Sequence, residues 1–599
     1  MKRHLLAIVG ICFLTFFVGL GSPAISDSDE AFYAESAREM VETGDWLTPH
    51  FNYTYRFEKP VFYYWLAALS FLIGGVSETA ARLPSAFAGV GLALLSYAIG
   101  RRWYDAATGL LAGIVTATSF GYVAMARQAL PDLTLAFFVT ATTAALAAAV
   151  DPRQPDIHRT TGHSDRDGNG GWLVLAAFGA AGGLLTKGPI GLALPLLIVG
   201  PWGAWKVYQS GWSLRRFGWW DVGFAGVVFV LLAVPWYGEM ARVHGVPYLE
   251  RFFFAENLER FATVRYNAPR PVWYYLPIVG AGLLPWSPYL VLWVPRAARR
   301  LRSMWRSGVV GSGAAILFAW WAVAPLLFFT LSVGKQPRYI LPVLPPLAVL
   351  VARAILTRLE NGQAGRGLFV ASTGVASMVL CAVAALVYRA APVLTEWGND
   401  WTTMLASVIG LSGLAALASV ARPRWTPWVL VAGSVVASIS FHVVALSSPG
   451  IAPVERMAQM LADHRGQNEP YGRFRVLNRN LIFYTHAPFR ELPSEQAVFD
   501  FLSSPERVLA VLPAEDVPGL EAKGLTLHRL GEVRYLNVGS LTLRVLVDPD
   551  PARYVRSIVL VSNQPPDPVG EPVRKDTACD ALPLLMRRGC FAAARRGIA

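Results

Sequence analysis

The chain has 599 residues, 54% of them hydrophobic and only 16% charged, with 20 Trp and a formal net charge of +13. A soluble globular chain carries about a quarter charged residues, so this composition excludes an ordinary soluble enzyme. The positive excess does not mark a nucleic-acid binder, because the basic residues gather in loops between apolar runs, where they set membrane orientation and meet anionic headgroups.

Apolar runs of roughly 15–23 residues, most of them able to cross a core of about 30 Å as helix, recur about thirteen times. They lie near 5–22, 82–100, 106–124, 131–150, 172–186, 189–205, 221–237, 272–294, 312–331, 338–356, 367–388, 402–420 and 426–447. The first is read as a retained span, although Gly21-Ser22-Pro23-Ala24 offers small residues near a plausible cleavage point. Between the first two runs lies a loop over 23–80 that opens Asp27-Ser28-Asp29-Glu30 and later carries Phe57-Glu58-Lys59-Pro60. Ser26, Asp27 or Ser28 can cap the helix that follows, with Asp29 and Glu30 favoured by its dipole. The apolar segment 61–75 is too short to span and predicts a juxtamembrane helix near the interface.

Placing Lys2 and Arg3 in the cytoplasm makes every inner loop basic. Those loops carry Arg101 and Arg102; Arg153, Arg159 and Arg166; Lys206, Arg215 and Arg216; Arg296, Arg299, Arg300, Arg302 and Arg306; Arg358 and Arg366; Arg422 and Arg424. An odd number of spans puts everything after about residue 448 outside. From Pro453 the long apolar runs stop. Helical candidates at 453–464 and 494–503 alternate with strand candidates Phe474–Leu477, Arg507–Leu512, Leu525–Leu530 and Leu541–Val547. The expected organisation is a membrane domain over 1–450, a small outer α/β domain over 451–562 and a poorly ordered Pro- and Arg-rich tail over 563–599. Cys579 and Cys590 would share an oxidising compartment, which permits a disulfide. Cys12 and Cys381 fall within spans and read as core residues.

On this topology the outer loops bring acids and bases to one membrane face. The first supplies Asp29, Glu58 and Lys59, and the next places Asp132 at the mouth of an apolar span, where an ionisable residue is functional by default. Lys187 sits in a tight turn, Glu256 and Arg260 in the longest loop, and Lys335, Arg338 and Tyr339 in a later one. Arg and Lys suit phosphate, the first by its fork and the second as a point charge. Carboxylates beside them can activate an acceptor, hold a metal or orient the bases. A lipid-phosphate sugar donor fits such a site: its tail belongs among spans and its phosphate is a leaving group. No Gly-rich nucleotide loop argues for a soluble donor.

The run Asp29-Glu30-Ala31-Phe32-Tyr33-Ala34-Glu35, with Gly44-Asp45-Trp46 and Phe57-Glu58-Lys59-Pro60, resembles the first outer loop of the ArnT family. These are 4-amino-4-deoxy-L-arabinose lipid A transferases of GT-C fold, related to protein O-mannosyltransferases. The likeness continues in order through Pro131-Asp132, Thr186-Lys187-Gly188, Phe252-Phe253, Glu256, Arg260-Phe261, Trp273-Tyr274-Tyr275, Lys335 and Tyr339-Ile340-Leu341. It implies a mainly α, polytopic GT-C protein of the bacterial inner membrane, with its active site and C-terminal domain in the periplasm. It also implies inverting transfer from a polyprenyl-phosphate sugar, undecaprenyl-linked, to lipid A or another envelope glycan or protein. Membrane lipids would be its surroundings and nucleic acid would play no part. Asp29 and Asp132 would be the active-site acids. Lys59, Lys187, Arg260, Lys335 and Tyr339 would meet the donor phosphate, and Glu58, Glu256 and Arg338 would complete the polar cavity. A divalent metal at Glu58 is left open, because Asn257 stands where the family pattern has His, and an amide is a weak zinc ligand. A transporter or flippase of a lipid-linked sugar is the alternative, but it would distribute charges through several spans around a midplane site.

Overall fold

The computed structural model describes residues 1–151, 170–210, 218–263, 269–295, 313–360, 366–394, 401–446, 452–466, 468–537, 544 and 547–565. Its N-terminal part is a helical bundle. Helix α1 (Lys2–Cys12) runs into a π turn over Phe13–Phe17, and α2 (Asp29–Thr43) follows in the first outer loop. A hairpin of β1 (His50–Phe51) and β2 (Thr54–Tyr55) leads to α3 (Phe62–Gly74) and α4 (Glu78–Trp103). Next come α5 (Ala106–Thr118), α6 (Phe120–Ala126), α7 (Pro131–Val150), α8 (Gly170–Lys187), α9 (Ile190–Ser210) and α10 (Trp219–His244).

Among the described residues, nine helices are long and apolar enough to cross a membrane, and up to eleven if each of two bent pairs is one span. The bent pairs are α5 with α6, at 59°, and Val272–Gly282 with Ser287–Trp293, at 105°. The other two expected segments are helical as well, but the apolar part of α9 stops at Lys206 and α1 with its π turn is short, so neither is long enough to count among these spans. Helix α3 is 13 residues long, too short to span. The helix Pro337–Glu360 is central, with 78% of its apolar window buried, whereas α10 has 17% and presents most of its apolar surface outward. Small residues let helices close on one another: a Cβ at Gly191 would lie 2.3 Å from the Gly183 carbonyl carbon, which fixes the α8–α9 contact.

The caps follow the local sequence. Ser28 is the N-cap of α2, accepting from Glu30 N at 3.2 Å, and Gly44 ends the helix at φ +75°. Asp27 and Glu30 do other work. Glu30 is buried and pairs with buried Arg82 (Nε–Oε1 2.8 Å), while Arg82 also donates to the carbonyls of Leu20, Pro23 and Ala24. Glu30 accepts from Ala129 N at 3.0 Å, so one ion pair ties the first loop to α4 and to the turn before α7. Cys12 and Cys381 lie in the bundle, Cys12 within its main apolar core.

Residues 452–565 build a five-stranded sheet in the order β4-β3-β5-β7-β6. Its strands are β3 (Tyr471–Arg473), β4 (Arg490–Glu491), β5 (Leu509–Pro513), β6 (His528–Leu536) and β7 (Val555–Ser562). β3 is parallel to β4 and β5, and β7 is antiparallel to β5 and β6. The helices Val454–His464 and Glu495–Leu502 stand where the periodicity predicts them. The strand expected at Phe474–Leu477 is instead a loop following β3, with Arg475 and Leu477 at positive φ. Most of Leu541–Val547, together with Cys579, Cys590 and the tail past 565, lies outside the described residues.

This unit sits on the first outer loop. Asp27 accepts from Asn478 N (2.9 Å) and Arg479 N (2.6 Å), Asn480 Nδ2 donates to Ile25 O (3.0 Å), and Ile25 N donates to the Tyr484 hydroxyl (2.8 Å). A second clamp joins Asn52 and Phe489 by two bonds of 3.0 Å. Asp27 is thus a docking residue for the C-terminal sheet.

Candidate active site

The site forms where the outer ends of several elements converge. Pro131 at the first position of α7 pre-sets the helix φ, and Asp132 in that first turn is 4% exposed. Lys187, the last residue of α8, reaches it with Nζ 2.5 Å from Oδ1. Arg338 places Nε 3.4 Å from Asp132 Oδ2 and donates Nη2 to Asp29, the first residue of α2. One guanidinium therefore joins carboxylates from α2 and α7. The Lys187 ammonium also lies 4.9 Å from the centre of the Tyr339 ring.

A second group adjoins the first. Arg260 donates to Glu256 at 2.8 Å, and the Tyr339 side chain lies beside its guanidinium. Lys59 is 9% exposed and makes no hydrogen bond or ion pair among the described residues, though Arg260, Lys187, Glu256 and Glu58 all act on it. Burial first, then the charges of Arg260 and Lys187, pushes its ammonium down to about 7, against the smaller opposing pull of Glu256 and Glu58. Burial pushes the Asp29 carboxyl up, but Arg338, with Arg479 and Arg56, outweighs it and holds the group below its ordinary value.

Of the residues expected from sequence, Asp29, Asp132, Lys187, Arg338 and Tyr339 share one network, and Lys59, Glu256 and Arg260 flank it. Glu58 is turned to Arg56, whose guanidinium lies 3.8 Å from the centre of the Phe32 ring. Lys335 is buried and donates to the Ser332 carbonyl within its own segment. Arg479 was not expected. It comes from the C-terminal unit, pairs with Asp29 at 3.5 Å, and lies 4.8 Å from the Phe32 ring centre. No sequence pattern marks it, because only the docked sheet brings it near α2.

The residues at the suggested metal position do not fit a metal. Glu58 is held by Arg56, Asn257 uses its amide nitrogen to bond the Phe252 carbonyl at 2.7 Å, and the described residues hold no group of three or more His, Cys, Asp or Glu. A zinc site needs three or four such donors.

An apolar groove of about 680 Å³ opens beside the charged cluster, lined by α3 (Phe62, Leu66, Leu69), α4 (Leu83, Phe87) and α7 (Phe137 and others). Its lining includes Phe62, three residues after Lys59, and Thr134, two residues after Asp132.

Residues 23–245 match the dolichyl-phosphate-mannose-protein mannosyltransferase family. The undecaprenyl phosphate-alpha-4-amino-4-deoxy-L-arabinose arabinosyl transferase of Pseudomonas aeruginosa (strain LESB58) is 33% identical over 475 residues, which is 77% of this chain and 80% of the relative. Its namesake from Shewanella sediminis is 31% identical over 401 residues, 66% of this chain and 67% of the relative. The crystal structure of ArnT from Cupriavidus metallidurans bound to undecaprenyl phosphate superposes with a TM-score of 0.70 at 22% identity, covering 93% of this chain and 98% of that one. The fold is that of the GT-C transferases.

Proposed function

The chain belongs to the undecaprenyl phosphate-4-amino-4-deoxy-L-arabinose arabinosyl transferase family, and from that premise we propose that it moves this aminopentose from undecaprenyl phosphate to a lipid A phosphate. It is a multi-pass inner-membrane glycosyltransferase that uses a polyprenyl-phosphate sugar. Residues 1–450 serve as the transferase domain and 451–562 as its periplasmic domain, with the reaction at the periplasmic face.

The observation that carries the acceptor assignment is the state of the two carboxylates. Asp132 is paired with Lys187 and Arg338, and Asp29 with Arg338 and Arg479. The oxygens of both carboxylates are taken up by these cations, so the two acids are placed to orient the cations and not to take a proton from an acceptor. An acceptor that is already anionic needs no base. A phosphate oxygen of the acceptor attacks the anomeric carbon, the bond from that carbon to the donor phosphate oxygen breaks, and the configuration inverts. The electron pair leaves with undecaprenyl phosphate, whose added negative charge Lys59 and Arg260 are placed to meet. The cations Arg56, Lys59, Lys187, Arg260, Arg338 and Arg479 outnumber the acids Asp29, Glu58, Asp132 and Glu256, an excess suited to two phosphate groups. The groove beside Phe62 offers a lipid tail an apolar surface.

The test is sugar transfer by purified protein to lipid A and to its dephosphorylated form. Product on the phosphorylated acceptor alone is expected, and Asp132→Asn should lower turnover by about 100-fold or more without loss of membrane insertion. Equal transfer to the dephosphorylated lipid, or near-normal turnover by the variant, would contradict the assignment.

A further inference from the structure

The C-terminal unit sends one side chain into the charged network, and its geometry differs from that of an incidental surface pair. The backbone of the loop 474–480 is held by the first outer loop. Asp27 takes the amides of Asn478 and Arg479, and Asn480 is bonded to Ile25 O. The loop holds two non-glycine residues at positive φ, Arg475 (+58°) and Leu477 (+48°), a conformation that costs free energy and persists where surroundings impose it. The Arg479 side chain then lies along the Phe32 ring and touches Asp29 through one nitrogen at 3.5 Å. Its other guanidinium nitrogens have no protein partner among the described residues.

Exposure gives the site a depth. Lys59 and Asp132 are nearly closed off, Arg338 is 22% exposed at its side chain, Asp29 35% and Arg479 40%. Arg479 therefore stands at the mouth, with free donors beside the Asp29 carboxylate. A donor phosphate held deep by Lys59 leaves this outer position to the second anion.

We propose that Arg479 binds the phosphomonoester of the acceptor, so that the periplasmic domain completes the acceptor half of the site. This inference rests on the phosphate-acceptor reading above. A guanidinium can take a phosphate by two parallel bonds while Asp29 keeps it aimed. The periplasmic domain is then part of substrate recognition as well as a cover over the loop.

The test is steady-state kinetics of full-length protein, varying acceptor at saturating donor and then donor at saturating acceptor. Arg479→Ala should raise the acceptor KM by about 10- to 100-fold, the range of a lost charge-assisted contact. The donor KM should stay within about twofold of wild type, and Arg479→Lys should recover part of the loss because it keeps the charge without the fork. An unchanged acceptor KM in Arg479→Ala overturns the proposal, as does an equal rise in both KM values. If Arg479→Ala fails to accumulate, the Lys variant decides by the same comparison, and an acceptor KM equal to wild type in it overturns the forked contact. Wild-type protein that ignores the acceptor's phosphate would overturn the reading on which the proposal rests, which is a separate outcome.

Discussion

Lys59 offers a pH signature that can be worked out in advance. Its ammonium stands at about 7 rather than the ordinary 10.5, mainly because it is buried. Near neutral pH about half of the ligand-free molecules carry it neutral. A phosphate beside it favours the charged form, so donor binding takes up a proton. Donor affinity should be level below about pH 6 and fall about tenfold per pH unit above 7, each unit corresponding to about 1.36 kcal/mol, until the pKa of the complex is reached. The measurement is binding of undecaprenyl phosphate, or its sugar conjugate, from about pH 6 to 9. Lys59→Arg should flatten the profile, since a guanidinium does not titrate there. The stability sign runs the other way. A depressed lysine favours the fold above its unfolded value and loses that stabilisation as pH falls toward 7. Lys59→Met should therefore melt higher than wild type at neutral pH while being inactive. Donor affinity that stays level through pH 8, or an Arg variant with the wild-type slope, would refute the argument.

Two further outcomes concern stability. Arg82→Met strands the buried Glu30 carboxylate and should cost about 3–5 kcal/mol by thermal or denaturant unfolding, whereas adding Glu30→Gln should restore part of it; an unaffected single variant would contradict the buried pair. Glu39 on α2 is pushed up to about 8, first by burial and then by the neighbouring Glu35 carboxylate. Its raised value favours the fold at low pH and loses that contribution between about pH 4.5 and 8, so Glu39→Gln should flatten the fall in melting temperature across that window; identical curves would dismiss it.

The membrane bundle was legible because long apolar runs and basic inner loops repeat a physical requirement at every crossing. Asp132 was visible for a related reason: although a helix N-terminus favours a carboxylate, one that opens an otherwise apolar span is functional by default. Lys59 and Arg338 were found as residue types, but not their states. That Lys59 has no hydrogen bond or ion pair among the described residues, and that Arg338 joins two acids, depends on how α2, α7 and the 332–343 segment meet. Asp27 and Glu30 looked alike in sequence, as caps or dipole partners, yet one docks the C-terminal sheet and the other anchors Arg82. The strand β7 was missed, and the loop after β3 was read as strand because its residues alternate suitably while its φ angles do not. Arg479 had no local signal because its partner lies 450 residues earlier.

That separation has a meaning in time. Asp27 meets the amide of Asn478 across 451 residues, whereas Glu30 meets Arg82 across 52. At synthesis rates of about 5–20 residues per second the first loop waits roughly 20–80 s between its two partners. During that interval Arg82 can already hold the loop in shape, while Asp29 lacks its outer guanidinium. The newborn chain can therefore be inserted and partly folded while the partner of Asp27 is still unmade, and this contact waits until most of the protein has been synthesised.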